Sequence, residues 1–110
     1  MGHIVDIIRM KMREGVTEDE VVRASERAAE LFRRMPGVCR RTLAGPDAEG
    51  RWTDTTEYED EANLEQATQI ADEQPGDAAD YFALVDMDTL TWERLPVRTD
   101  TVISTAHRST

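Results

Sequence analysis

A chain of 110 residues holds one domain with one modest core. Its composition, 39% hydrophobic and 33% charged, is globular and too well patterned for a disordered chain. A net charge of -10 excludes nucleic acid and anionic membrane surfaces as partners, because both bind through Lys and Arg. Lys11 is the only lysine, and every other basic residue except the histidines is an arginine. Such a balance follows from a GC-rich genome and says nothing of mechanism. Cys39 is the only cysteine, so the chain makes no internal disulfide, and no Cys-based zinc site is expected. Its strand-like setting predicts a buried, inert thiol. No apolar run approaches about 18 residues, and the N-terminus lacks the apolar core of a signal peptide. The expected location is the cytoplasm.

Ile4 to Met12 reads IVDIIRMKM. Asp6, Ile8 and Met10 fall on one face at period two, and Val5 and Ile7 on the other, so this strand is expected to be covered on both sides. Thr17 and Glu20 form a capping box that starts a helix. Its stripe is Val21, Ala24, Ala28, Leu31, Phe32 and Met35, and Met35-Pro36-Gly37 stops it. Val38 to Ala44 is a second strand, joined through a turn-rich Gly45–Gly50 to a third, Arg51 to Glu59. On the third strand Trp52, Asp54, Thr56 and Tyr58 share one face. Asp60 is the expected N-cap of a helix from Glu61 to Glu73, broken at Pro75-Gly76. Asp77 to Leu84 is a short helix bearing Tyr81 and Phe82. Thr89 to Val97 is a fourth strand, with Leu90, Trp92 and Arg94 on one face. Thr101 to Ser104 is either a fifth short strand or a clip onto a partner subunit.

This order, β-α-β-β-α-(α)-β, is the ferredoxin-like split pattern, an α+β fold with an antiparallel sheet and its helices on one face. The domain spans 1–97, and 98–110 is a C-terminal tail. The other face carries Val5, Ile7, Cys39, Leu43, Thr53, Thr55 and Leu95, too apolar in sum to stay wet. A second copy is the simplest cover, so a homodimer is expected.

Three stretches carry a resemblance: the Met-rich first strand with a capped helix ending in MPGV at 35–38, EYEDEANLEQA at 57–67, and DAADYFALVDMDTLTW at 77–92. The pattern over residues 3–97 resembles the dimeric α+β barrel superfamily, and within it domains of the antibiotic biosynthesis monooxygenase type. That resemblance implies a dimer with one pocket per subunit between sheet and helices. It implies a cofactor-independent monooxygenase acting on polyketide-type phenols, a haem-degrading enzyme, a cyclase or isomerase of small ring compounds, or a protein without catalysis. Fold alone does not choose among them.

In the family register Tyr58 sits at the pocket aromatic, with Trp52, Asp54 and Thr56 beside it and Asp6, Ile8 and Met10 on the same face. Carboxylates are costly there unless paired. Asp6 and Asp54 are therefore an ion-pair network with Arg40 and Arg94, a general acid or base with a raised pKa, or exposed at a frayed strand. Tyr58 is a core residue with a bonded hydroxyl or a pocket contact, and Trp52 and Trp92 read first as core or dimer interface. On the enzymatic reading Asp6 or Asp54 is the base, Arg40 holds the developing oxyanion, Tyr58 and Trp52 stack on an aromatic substrate, and Ile8 and Met10 line the pocket.

No cofactor is expected. His3 and His107, the only histidines, lie outside the segment that carries the ligand in haem-binding relatives. The first-strand Asn of haem-degrading members is replaced here by Ile8. No His or Cys cluster has metal-ligand spacing along the chain, and no Gly-rich phosphate loop is present. An enzyme is expected to hold an incompletely paired carboxylate in a closed pocket. A binding or structural dimer is expected to pair both acids and leave little cavity.

Overall fold

The computed structural model describes residues 2–73 and 76–103. Its elements are β1 (Ile4–Met12), α1 (Glu18–Arg33), β2 (Val38–Ala44), β3 (Arg51–Tyr58), α2 (Glu61–Glu73), α3 (Gly76–Ala83) and β4 (Val85–Pro96). The strands form one antiparallel sheet in the order β2-β3-β1-β4, with the helices on one face. This is the ferredoxin-like α+β fold expected from the sequence. Pro75, Ser104 and His107 lie outside the described residues. Thr101–Ile103, part of the expected fifth strand, form no strand in this chain.

Local chemistry sets the boundaries. Thr17 caps α1 through a complete capping box: its side chain accepts from the Glu20 backbone, and the Glu20 side chain accepts from the Thr17 backbone at 3.0 Å. Asp60 caps α2, accepting from the Asn63 N–H at 2.8 Å. Gly37 adopts φ 79°, and a Cβ there would stand 2.2 Å from the Asn63 side chain, so glycine lets α2 dock against this turn.

On β3, Trp52, Asp54, Thr56 and Tyr58 alternate as buried residues facing the helices. Met10 and Trp52 pair at one end of that face and pack with Val21, Ala24, Ala28, Tyr81 and Val85. Tyr58 at the other end packs with Leu31, Met35, Leu64, Ala67 and Ala78. Each large apolar side chain so buried contributes about 1.5–3 kcal/mol. Between the two clusters lies a polar strip, where Asp6 faces Thr56 and Ile8 faces Asp54 across the ladder.

Two irregularities depart from the simple alternation. In β2, Val38 pairs with Tyr58 and Arg40 with Glu57, so Cys39 is an extra residue and the ladder bulges. Every later β2 residue therefore changes face relative to unbroken alternation from Val38. Arg41 and Leu43 face the helices, and Arg40 is exposed on the outside. Leu43 was expected on the outer face, and Cys39 was expected to be buried but is exposed. β4 starts at Val85 rather than Thr89. It pairs Val85 with Met12 and Asp86 with Lys11, then bulges before Thr91 meets Arg9. The Lys11 N–H donates to Thr89 Oγ1 at 2.8 Å within this bulge.

The outer face carries the half-buried Val5 and Ile7 beside exposed Leu95.

Candidate functional site

The polar strip opens into a cavity of about 330 Å³ between the sheet, α1, α2 and α3. Asp6, Ile8, Asp54 and Tyr58 line it, as expected from the sequence. Trp52 and Met10 do not. Both sit in the first core cluster, Met10 fully buried, because their cross-strand pair lies where α1 and α3 close over the sheet. Arg40 does not reach the cavity either, since the Cys39 bulge turns it outward and brings Arg41 in.

Arg41, one residue beyond the expected Arg40, is the arginine that faces the cavity. Its guanidinium donates to Asp54 Oδ2 at 2.9 Å and to Ser25 Oγ and the Ser25 carbonyl at 2.8 and 3.2 Å. It lies over the Tyr81 ring at 5.1 Å and the Phe32 ring at 5.6 Å. The Tyr81 hydroxyl donates to the same Asp54 Oδ2 at 2.9 Å. Asp54 is thus held by two buried donors from β2 and α3.

Asp6 is held less completely. It accepts from the Trp92 indole N–H, and the Arg94 Nε stands 3.8 Å away. Both contacts fall on Oδ1, and the described residues place no hydrogen bond on Oδ2. Arg94 stacks on the Trp92 ring at 4.6 Å. Burial raises the Asp6 carboxyl above the ordinary Asp value; Trp92 and Arg94 oppose this rise and Asp54 adds to it. Burial also pushes the Tyr58 and Tyr81 hydroxyls well above the ordinary tyrosine value, with Asp54 adding to both, so both stay protonated at neutral pH.

Trp92 is a site residue rather than core: half of it is exposed, and it closes one side of the cavity. The alternation of β4 already placed it on the face of Asp6. Tyr81 and Phe82 enter from α3 with their rings 5.1 Å apart, edge to face. The aromatic run DYFAL was their sequence signal. His3 lies away from the cavity, on the other side of the sheet beside Glu57, and Ile8 lines the cavity wall.

No protein-family model matches the sequence, and no curated protein matches it. Solved structures do. A dimeric ferredoxin-like protein from an uncultured marine organism aligns with TM-score 0.69 at 17% identity, over 94% of this chain and 95% of its own. SnoaB from Streptomyces nogalater, a cofactor-independent oxygenase, aligns with TM-score 0.64 at 20% identity, over 94% of this chain and 98% of its own. The chain has the ferredoxin-like fold of these structures. A provisionally assigned antibiotic biosynthesis monooxygenase from Bordetella bronchiseptica shares this fold with TM-score 0.71 at 19% identity, over 93% of this chain and 100% of its own. At such identities the likeness establishes the fold, and chemistry has to be argued from the cavity.

Proposed function

We propose that this protein is a cofactor-independent monooxygenase that oxidises an aromatic or polyketide-type phenol with dioxygen. The carrying observation is Asp6: a desolvated carboxyl in the wall of a ligand-sized cavity, whose polar contacts among the described residues both fall on one oxygen. The neighbouring acid, Asp54, is already occupied by Arg41 and Tyr81. Two carboxyls in one cavity with such different partners suit different roles, Asp6 as the base and Asp54 as the anchor that fixes Arg41. The described solved structure of a cofactor-independent oxygenase on this fold supports the same reading.

The chemistry balances with dioxygen as the oxidant. Asp6 removes a proton from an acidic ring position, and the resulting carbanion transfers an electron to dioxygen. The radical pair combines into a C–O bond, and the peroxide takes a proton back from Asp6. Loss of the second ring proton with cleavage of the O–O bond gives the quinone carbonyl and one water. Trp92, Tyr58 and Phe82 enclose the ring, and Arg41 supplies positive charge beside the developing oxyanion. A cyclase or isomerase would use the same base without consuming oxygen.

The functional unit we infer is a cytoplasmic homodimer. The apolar outer face of Val5, Ile7 and Leu95 supports this, as do the relatives described as dimeric. The exposed Val102 and Ile103 suit a clip onto the second copy.

The test is oxygen uptake and quinone absorbance with a panel of anthrone- and naphthol-type phenols, without added cofactor. Turnover is expected, with Asp6→Asn slower by about 10²–10⁴-fold, the usual scale for a lost general base. Turnover without oxygen uptake would assign an isomerase. Failure of every compound to react or bind would refute the assignment of the cavity.

A further inference from the structure

His3, Cys39 and Glu57 are far apart in sequence, yet the fold brings them together at one end of the outer face of the sheet. Their ligand atoms, an imidazole nitrogen, the thiol sulfur and a carboxylate oxygen, all lie within 4.8 Å of one another. We propose that these three side chains form a metal site for a borderline divalent cation such as zinc, separate from the cavity and its chemistry.

The fold builds the arrangement from three strands. Glu57 is on β3, and the backbone of Val97, just after β4, donates to the His3 carbonyl at 2.9 Å and holds the residue before β1 in place. Cys39 is the extra residue of the β2 bulge, which turns its sulfur outward. His3 Nδ1 and Glu57 Oε2 already meet at 2.5 Å. A metal would replace the proton between them, with small side-chain rotations bringing the sulfur to about 2.3 Å and the nitrogen and oxygen to about 2.0–2.2 Å.

The charges also fit. A thiolate and a carboxylate neutralise a divalent cation, with a neutral imidazole as third ligand and an open fourth position for water. Glu59 and Asp100 add negative charge nearby. Thiolate with imidazole selects zinc, cobalt or copper over magnesium and calcium. The bound ion would tie β2 and β3 to the residue before β1, a cross-link the lone cysteine cannot make with sulfur alone.

The experiment is a Co(II) titration of the full reduced chain, followed by absorbance. The expected result is a thiolate-to-cobalt charge-transfer band with tetrahedral visible bands, saturating at one ion per chain. Zinc should displace the cobalt. Cys39→Ser should remove the charge-transfer band, and His3→Gln and Glu57→Gln should each weaken binding at least tenfold. Circular dichroism should show all three variants folded, since none of these side chains is fully buried. A wild-type chain that gives no charge-transfer band overturns the proposal, as does an octahedral cobalt spectrum or a band that survives Cys39→Ser.

Discussion

Replacing Arg41 by Met should be among the most damaging single changes outside the apolar core. The Arg41 and Asp54 side chains are 9% and 5% exposed, so their pair belongs with buried ion pairs rather than surface ones. Removing one partner of such a pair costs about 3–5 kcal/mol, because a carboxylate is left in a dry site. Asp54 would keep the Tyr81 hydroxyl but lose its counter-charge, and Ser25 would lose two donated hydrogen bonds. The loss should therefore fall near 4 kcal/mol, a large share of the 5–15 kcal/mol that holds a domain of this kind. Urea unfolding followed by circular dichroism measures it. Arg40→Met is the control and should stay within about 0.5 kcal/mol, since Arg40 is exposed. Asp54→Asn in the Arg41→Met background should recover part of the loss, with a coupling of roughly 2 kcal/mol in the double-mutant cycle. Equal effects of Arg40→Met and Arg41→Met, or a cost below about 1 kcal/mol for Arg41→Met, would refute the bulged register and the buried pair.

Asp6→Asn should change stability with a definite sign. Because the folded carboxyl lies above its ordinary value of 3.8, its stabilising contribution is complete below that value and is lost as pH rises through the folded value. The variant should therefore gain on the wild type between acid and neutral pH, as read by thermal melts across that range. Trp52→Phe leaves Trp92 as the sole tryptophan, and its fluorescence should be quenched by a ring ligand entering the cavity, whereas Trp92→Phe should remove that signal. Thr17→Ala should cost about 1 kcal/mol in denaturant unfolding, the value of an N-cap. Leu95→Asp should shift the inferred dimer to monomer in light scattering, while the secondary structure by circular dichroism stays unchanged.

Much of the fold was legible because local signals and tertiary needs agreed. Thr17 with Glu20 marked the start of α1, Asp60 marked α2, and the alternation of Trp52, Asp54, Thr56 and Tyr58 marked the inner face of β3. Asp6, Ile8, Asp54 and Tyr58 reached the cavity for the same reason: β1 and β3 pair without interruption. The errors cluster at the two bulges. An extra residue leaves no mark in a period-two pattern, so Arg40 and Leu43 were each given the wrong face, and Cys39 was expected to be buried. Near Asp86 and Asp88 the acids hide the start of β4, because the bulge lets them stay at the sheet's margin. Trp52 and Met10 had the right face but the wrong end, since no alternation says where α1 and α3 close down on the sheet.

The arginine doublet at 40 and 41 has a bearing on how this fold tolerates change. Were β2 to pair without its bulge, Arg40 would stand opposite Thr56, the place Arg41 now holds. Either alignment delivers a guanidinium to Asp54, so the doublet acts as a fail-safe for the buried acid. What differs between the two alignments is the next inward position, Leu43 in one and Thr42 in the other, and only Leu43 packs against the first core cluster. Electrostatics is thus degenerate across the slip, and a single leucine casts the deciding vote. Leu43→Thr would remove that vote and leave two nearly equivalent alignments of β2 competing for the same edge of the sheet.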